Sequence, residues 1–144
     1  MMVYQISVFL ENKPNRLSSV TQALKDGNIN LRAAMIAEAG EFGIIRAIVD
    51  DPDNAYKLLD ENNFTVKKTN VVGVEAADGP GSLSEISKVL GANEINIIYL
   101  YAFTLSGKNA ALLIFKTDDN QRARQIIKDE LGMKIITQRD INTL

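Results

Sequence analysis

The side chains best suited to chemistry in this 144-residue chain are amides and carboxylates gathered in two short segments. One reads Glu11-Asn12-Lys13-Pro14-Asn15-Arg16-Leu17, and the other Ala77-Asp78-Gly79-Pro80-Gly81-Ser82-Leu83. Proline at a helix start is pre-set in φ and has no N–H to leave unpaired. The neighbouring backbone N–H groups do point outward there, at the positive end of the helix dipole, and favour a carboxylate or phosphate. Gly81 would let a ligand approach the backbone closely, and Asn15 tolerates unusual backbone angles almost as well. The Asn12 amide offers an acceptor for an ammonium group and a donor for a carboxylate, whereas Asp78 can only accept. Proline followed by leucine is equally an ordinary packing signal, so these residues also carry a structural reading. Asn30 and Asn96, each between apolar neighbours at the start of a strand, either satisfy a helix end or complete a pocket.

Two absences restrict what else the chain can do. It has no histidine, the commonest general base and metal ligand, and no cysteine to serve as nucleophile or zinc ligand. Carboxylates remain, but Asp50, Asp51 and Asp53 flank Pro52 before an expected helix, where acidic residues are ordinary start signals. The expectation is a binding protein rather than an enzyme, with no cofactor and no metal.

The two segments belong to a repeat. Pro14, Leu17, Ser18, Leu24, Ile29 and Asn30 recur 66 positions later as Pro80, Leu83, Ser84, Leu90, Ile95 and Asn96. Self-similarity of this kind marks two copies of one supersecondary unit. In the first copy, alternation over Val3 to Leu10 reads as a strand, followed by a helix with Leu17, Val20 and Leu24 inward and Gly27 as its stop. Strands over 29–37 and 42–49 follow around the turn Ala39-Gly40-Glu41. A helix marked by Ala55, Leu58 and Leu59 and a strand over 65–72 complete the β-α-β-β-α-β order.

The second copy repeats that order. A strand over 71–76 leads to a helix over 82–90 with Leu83, Ile86 and Leu90 inward. A hairpin pairs 95–105 with 109–116 around Ser106-Gly107-Lys108. A helix with Ala123, Ile126 and Ile127 inward and a strand over 133–136 close the copy. With no linker between them, the last strand of one copy must run almost directly into the first strand of the next. The expected fold class is α+β: two tandem ferredoxin-like βαββαβ units, residues 1–69 and 70–144, with antiparallel sheets and helices on one face. The second hairpin breaks the one-faced pattern. Ile97, Tyr99, Tyr101, Phe103 and Leu105 would share one side, Ile98, Leu100 and Ala102 the other. Such a sheet needs a second cover, from within the monomer or from a subunit or repeat interface.

Composition sets the outer bounds. The chain is 46% hydrophobic and 24% charged, an ordinary globular balance, and its net charge of −2 gives no electrostatic reason to expect nucleic acid or anionic membrane. No apolar run reaches membrane-spanning length and no signal peptide is visible, so the expectation is a cytoplasmic protein.

At these residues the chain resembles a known family, the ACT domain. Pro80-Gly81-Ser82-Leu83 is similar to its Pro-Gly-x-Leu turn, and Glu94-Ile95-Asn96-Ile97 to its Gly-Ile-Asn-Ile lead-in to the second strand. Pro14-Asn15-Arg16-Leu17 and Asn28-Ile29-Asn30-Leu31 match less fully. The resemblance spans essentially the whole chain as two copies. It implies binding of a free amino acid as a regulatory signal at an interface between ACT units. It also implies that Asn12 and Asn30, with Asp78 and Asn96 as counterparts, are the polar contacts. Asn15 in place of glycine and Asp78 in place of an amide set the two copies apart. ACT domains usually accompany a catalytic or DNA-binding domain, so the chain is expected to be a stand-alone tandem sensor. It would act as a homodimer joined through sheet or edge contacts, with a regulated enzyme as an unnamed partner.

Three other readings compete. A module that has lost ligand binding would serve only structure or protein interaction. RNA binding, which this strand order also supports, requires exposed aromatics and a basic surface, and the first copy offers only Phe9. A small enzyme would have to rely on lone carboxylates or on Tyr99 and Tyr101.

Overall fold

A computed structural model of the chain describes residues 2–105 and 107–144, with position 39 described by its backbone alone. Its contacts divide into two compact units. The N-terminal unit comprises Tyr4–Thr69 with Gln138–Leu144, and the C-terminal unit Asn70–Thr137 with the residues up to Val3.

The N-terminal unit is built from β1 (Val3–Glu11), α1 (Arg16–Asp26), β2 (Leu31–Ala39), β3 (Phe42–Val49), α2 (Pro52–Glu61) and the opening residues of β4 (Thr65–Ala77). Its strands lie in the order β2-β3-β1-β4. Both β3 pairings are antiparallel, with Val8 opposite Ile45 and Ile36 opposite the same Ile45. Alternation in β1 sends Ile6, Val8 and Leu10 to the helix side, where they meet Val20, Leu24, Ala55 and Leu59. Ile6, Val20, Ala55 and Leu59 are at most 2% exposed, so each larger side chain among them contributes about 1.5–3 kcal/mol of burial.

The C-terminal unit uses the rest of β4, then α3 (Ser82–Ala92), β5 (Ile97–Thr104), β6 (Ala110–Thr117), α4 (Asn120–Ile126) and β7 (Lys134–Ile136). Its strand order, β7-β4-β6-β5, matches that of the N-terminal unit element for element. β4 pairs antiparallel with both β6 and β7, and β5 antiparallel with β6. Val72, Val74, Ile86, Leu90, Phe115, Ala123 and Ile127 form its helix-side core. The fold is thus α+β, two ferredoxin-like units with their helices on one sheet face.

Several expectations shift in detail. The two strands anticipated around positions 65–76 are one 13-residue strand, β4, which serves both units in turn. Leu17 and Leu83, expected inward, are 45% and 43% exposed, because Val20 with Leu24 and Ile86 with Leu90 already make the buried stripe. A bulge between Ile97 and Tyr99 breaks the alternation of β5, so Ile97 joins the helix-side core with Leu100 while Ile98 stays exposed. On the other face Leu112 and Ile114 are fully buried in the single chain, so covering them does not require a second copy. Ser106 of the anticipated hairpin loop lies outside the described residues.

Two elements were not anticipated. A π-helical turn, Ile127–Leu131, extends α4. A short helix, α5 (Gln138–Asn142), packs into the N-terminal unit. Gln138 accepts from the Tyr4 N–H at 3.1 Å and donates to the Val49 carbonyl at 3.0 Å, while Ile141 is fully buried.

Candidate functional site

The two strand-to-helix turns repeat each other bond by bond. The Asn12 N–H donates to the Glu41 carbonyl at 2.8 Å, and the Asp78 N–H donates to the Asn109 carbonyl at 3.0 Å, so a hairpin pins each turn. One residue on, Lys13 N–H donates back to Glu11 and Gly79 N–H to Ala77, closing a tight bend before Pro14 and Pro80. The residue preceding each helix is left-handed: Asn15 at φ 72° and Gly81 at φ 105°. Neither helix start receives a side-chain cap. By contrast, Asp51 caps α2 by accepting from the Asn54 N–H, and Asp119 caps α4 by accepting from the Arg122 N–H.

An uncapped helix start leaves the N–H groups of its first turn for another acceptor. The serines of the turns do not supply one: Ser18 and Ser19 hydroxyls donate to the Asn15 carbonyl, and the Ser82 hydroxyl donates to Ala77. The exposed Leu17 and Leu83 lie in the same first turns. Charge separates the copies. Glu11 holds Lys13 at 2.8 Å and Arg16 at 3.6 Å. The hydrogen bond from Lys13, then the charges of Lys13 and Arg16, keep its carboxyl below the usual range. At the second turn Ala77, Gly79 and Ser82 occupy those three positions, leaving Asp78 as its only charged residue.

Asn30 and Asn96 sit elsewhere. Each N–H donates to an aspartate at the end of the hairpin, Asn30 to Asp50 at 3.0 Å and Asn96 to Asp118 at 3.1 Å. The same aspartates return their own N–H to the asparagine carbonyls at 3.2 Å. On the asparagine side these bonds use only backbone, so the amide side chains are not what closes the strand ends. Asn30 follows the C-terminus of α1, whereas Asn12 precedes its N-terminus, and an 11-residue helix is about 16 Å long. Within one unit the structure therefore brings Asn12, Lys13, Pro14, Asn15, Arg16 and Leu17 together but leaves Asn30 apart. The C-terminal unit likewise groups Asp78, Gly79, Pro80, Gly81, Ser82 and Leu83 and leaves Asn96 at the far end of α3.

One feature escaped sequence reasoning. In the N-terminal unit a cavity of about 310 Å³ lies between α1 and the edge formed by β2 and β3, with walls that include Leu17, Val20, Leu31, Ala34, Ile36 and Ala47. Ala34 and Ala47 are cross-strand partners there, and the matching pair in the C-terminal unit is Leu100 and Phe115. Aligning the hairpins by Asn30 with Asn96 at their start and by Asp50 with Asp118 at their end would have exposed that difference in bulk.

Among the described residues, no three His, Cys, Asp or Glu side chains are grouped to hold a metal ion, and no helix is long and apolar enough to cross a membrane.

Comparison with known proteins completes the picture. The crystal structure of protein BT0572 from Bacteroides thetaiotaomicron is similar at 39% identity and a TM-score of 0.92, covering 100% of this chain and 98% of that one. The regulatory subunit of aspartate kinase from Thermus thermophilus, in its ligand-free form, shares the fold. There the identity is 14% and the TM-score 0.62, with 88% of this chain and 91% of that one covered. No curated protein matches the sequence significantly. A family model described as an ACT domain pair matches residues 1–144. The paired βαββαβ units, the duplicated turns and this full-length match agree: the chain belongs to the family of ACT domain pairs.

Proposed function

We propose that this protein is a small-molecule sensor that binds a free amino acid at its strand-to-helix turns and passes the signal on through its association with other chains. The observation that carries the reading is the contrast in capping. The helices α2 and α4 are closed by aspartate side chains, while α1 and α3 start after left-handed residues with no side-chain acceptor. An α-carboxylate fits the first-turn N–H groups of α1 or α3, and its ammonium group fits the carbonyl oxygen of Asn12 or the carboxylate of Asp78. A neighbouring ACT unit, contributed by a second copy in a homodimer, would cover the rest of the ligand and place Asn30 or Asn96 against it. Regulation follows only if the ligand prefers one state of association over another.

Calorimetry with each of the twenty amino acids at millimolar concentration, followed by sizing with and without the hit, tests this reading. Binding should be weakened by Asn12→Ala at the first turn or Asp78→Ala at the second. Failure of all twenty would instead favour a module that serves only protein interaction.

A further inference from the structure

The C-terminal unit carries a second polar depression, well separated along its chain from the turn at Asp78. It has a volume of about 660 Å³ and lies between the α4 helix with its π-helical turn and the β7 edge. Arg124 and Lys128 line it from the helix, and Lys134 and Thr137 from the strand side. Gln121, Arg124 and Lys128 recur at the three- and four-residue spacing that puts side chains on one helix face. Among the described residues, no aspartate or glutamate lines the depression. On the same helical segment, Asp129 accepts from Gln125 at 2.7 Å and so occupies that amide. Three cations in one hollow are unexpected in a chain whose net charge is −2.

The repeat provides an internal reference. Counting from the capping residues Asp51 and Asp119, Gln121 corresponds to Asp53, Arg124 to Tyr56 and Lys128 to Asp60. The left-handed residues that end the two segments, Asn63 and Gly132, then align Lys134 with Thr65 and Thr137 with Lys68. In the N-terminal unit the matching hollow is lined by Tyr56, Val66, Lys67 and Lys68, and Asp53 neutralises Lys68 in an ion pair. Two acids of one copy have thus become an amide and a lysine in the other. The interval from cap to left-handed residue is also one residue longer in the C-terminal unit, and the π-helical turn absorbs it. Such single-turn insertions concentrate at functional sites.

We propose that this depression is a binding site for a small phosphorylated ligand carrying at least two negative charges. Arg124 supplies a planar fork suited to phosphoryl oxygens, and Lys128 and Lys134 supply point charges on either side. Three cationic side chains around one hollow suit a dianion better than a single carboxylate. Among the described residues the lining has no aromatic ring on which a base could stack, so the ligand is a phosphorylated metabolite or pyrophosphate and not a nucleotide read through its base.

The experiment is calorimetric titration of the full chain with inorganic pyrophosphate, with adenosine diphosphate and acetate run alongside. Pyrophosphate should bind saturably and lose affinity as salt rises. Arg124→Gln and Lys128→Asp should each weaken it roughly ten- to a hundredfold, the loss expected for one charged hydrogen bond. Lys128→Asp installs the residue that the N-terminal unit carries at this place, which guards against a failure to fold. Asn12→Ala should leave pyrophosphate binding unchanged, so this site stands or falls independently of the amino-acid reading. No saturable binding, equal affinity for acetate, tighter binding of adenosine diphosphate, or affinities untouched by both variants would each overturn the proposal.

Discussion

Opposite the first helix of each unit, a cross-strand pair occupies the helix-facing layer: Ala34 with Ala47 in the N-terminal unit, Leu100 with Phe115 in the C-terminal one. The backbone plan is the same, down to a bulge after Leu31 and after Ile97. With alanines the layer adjoins a cavity of about 310 Å³; where leucine and phenylalanine stand, Phe115 is fully buried in the core. The difference teaches that topology in this duplicated chain is held by strand alternation and turn chemistry, while side-chain bulk has been free to diverge within it. The same holds on the outer side, where Asp53 and Asp60 of the first copy correspond to Gln121 and Lys128 of the second.

The largest expected effect tests that divergence in bulk. Phe115→Ala should cost about 3–5 kcal/mol in urea denaturation, the range for deleting a buried aromatic side chain. Ala34→Leu, its mirror image, should instead add about 0.5 kcal/mol or more by filling space; a net loss would mean that the N-terminal layer has no room to accept it.

Next in size are the turns. Gly81→Ala should cost about 1–2 kcal/mol from backbone strain alone. Its φ is 105° and an added Cβ would meet no atom within 4 Å, so a larger loss would contradict the open space found there. Removing either cap, by Asp51→Ala or Asp119→Ala, should cost about 1 kcal/mol in thermal unfolding. Ser18→Ala or Ser82→Ala should cost clearly less, since neither hydroxyl caps its helix; equal losses would erase the contrast between the two kinds of helix start.

The smallest effect concerns acid. Because the Lys13 hydrogen bond holds the exposed Glu11 carboxyl below its ordinary range, its contribution is present above the unfolded-state value and is lost as pH falls through the folded one. Stability-against-pH curves of the wild type and Glu11→Gln should therefore differ slightly near neutrality and converge in acid.

Much of this was legible from residue order. Alternation in β1 and β3 needed only the period of two, and β3 spans Phe42–Val49 as expected. Asp51, read as a start signal, does cap α2. What stayed hidden has physical causes. A bulge at Ile98 cannot be seen from an apolar run in which every residue would suit either face. The burial of Leu17 and Leu83 depends on how far each first turn overhangs its sheet, which helical spacing does not encode. Five residues, Gln138–Asn142, are too few to show a helical period. The turns themselves were found by residue type, but the distance between Asn12 and Asn30 follows from which end of α1 each one occupies.

The docking of α5 also bears on how the protein is made. Tyr4 and Val49 leave the ribosome long before Gln138, yet they wait for it to complete their hydrogen bonds. A chain whose synthesis halted before that point would expose an unfinished early segment to proteases, so Tyr4 gains its final protection from a residue made 134 positions later.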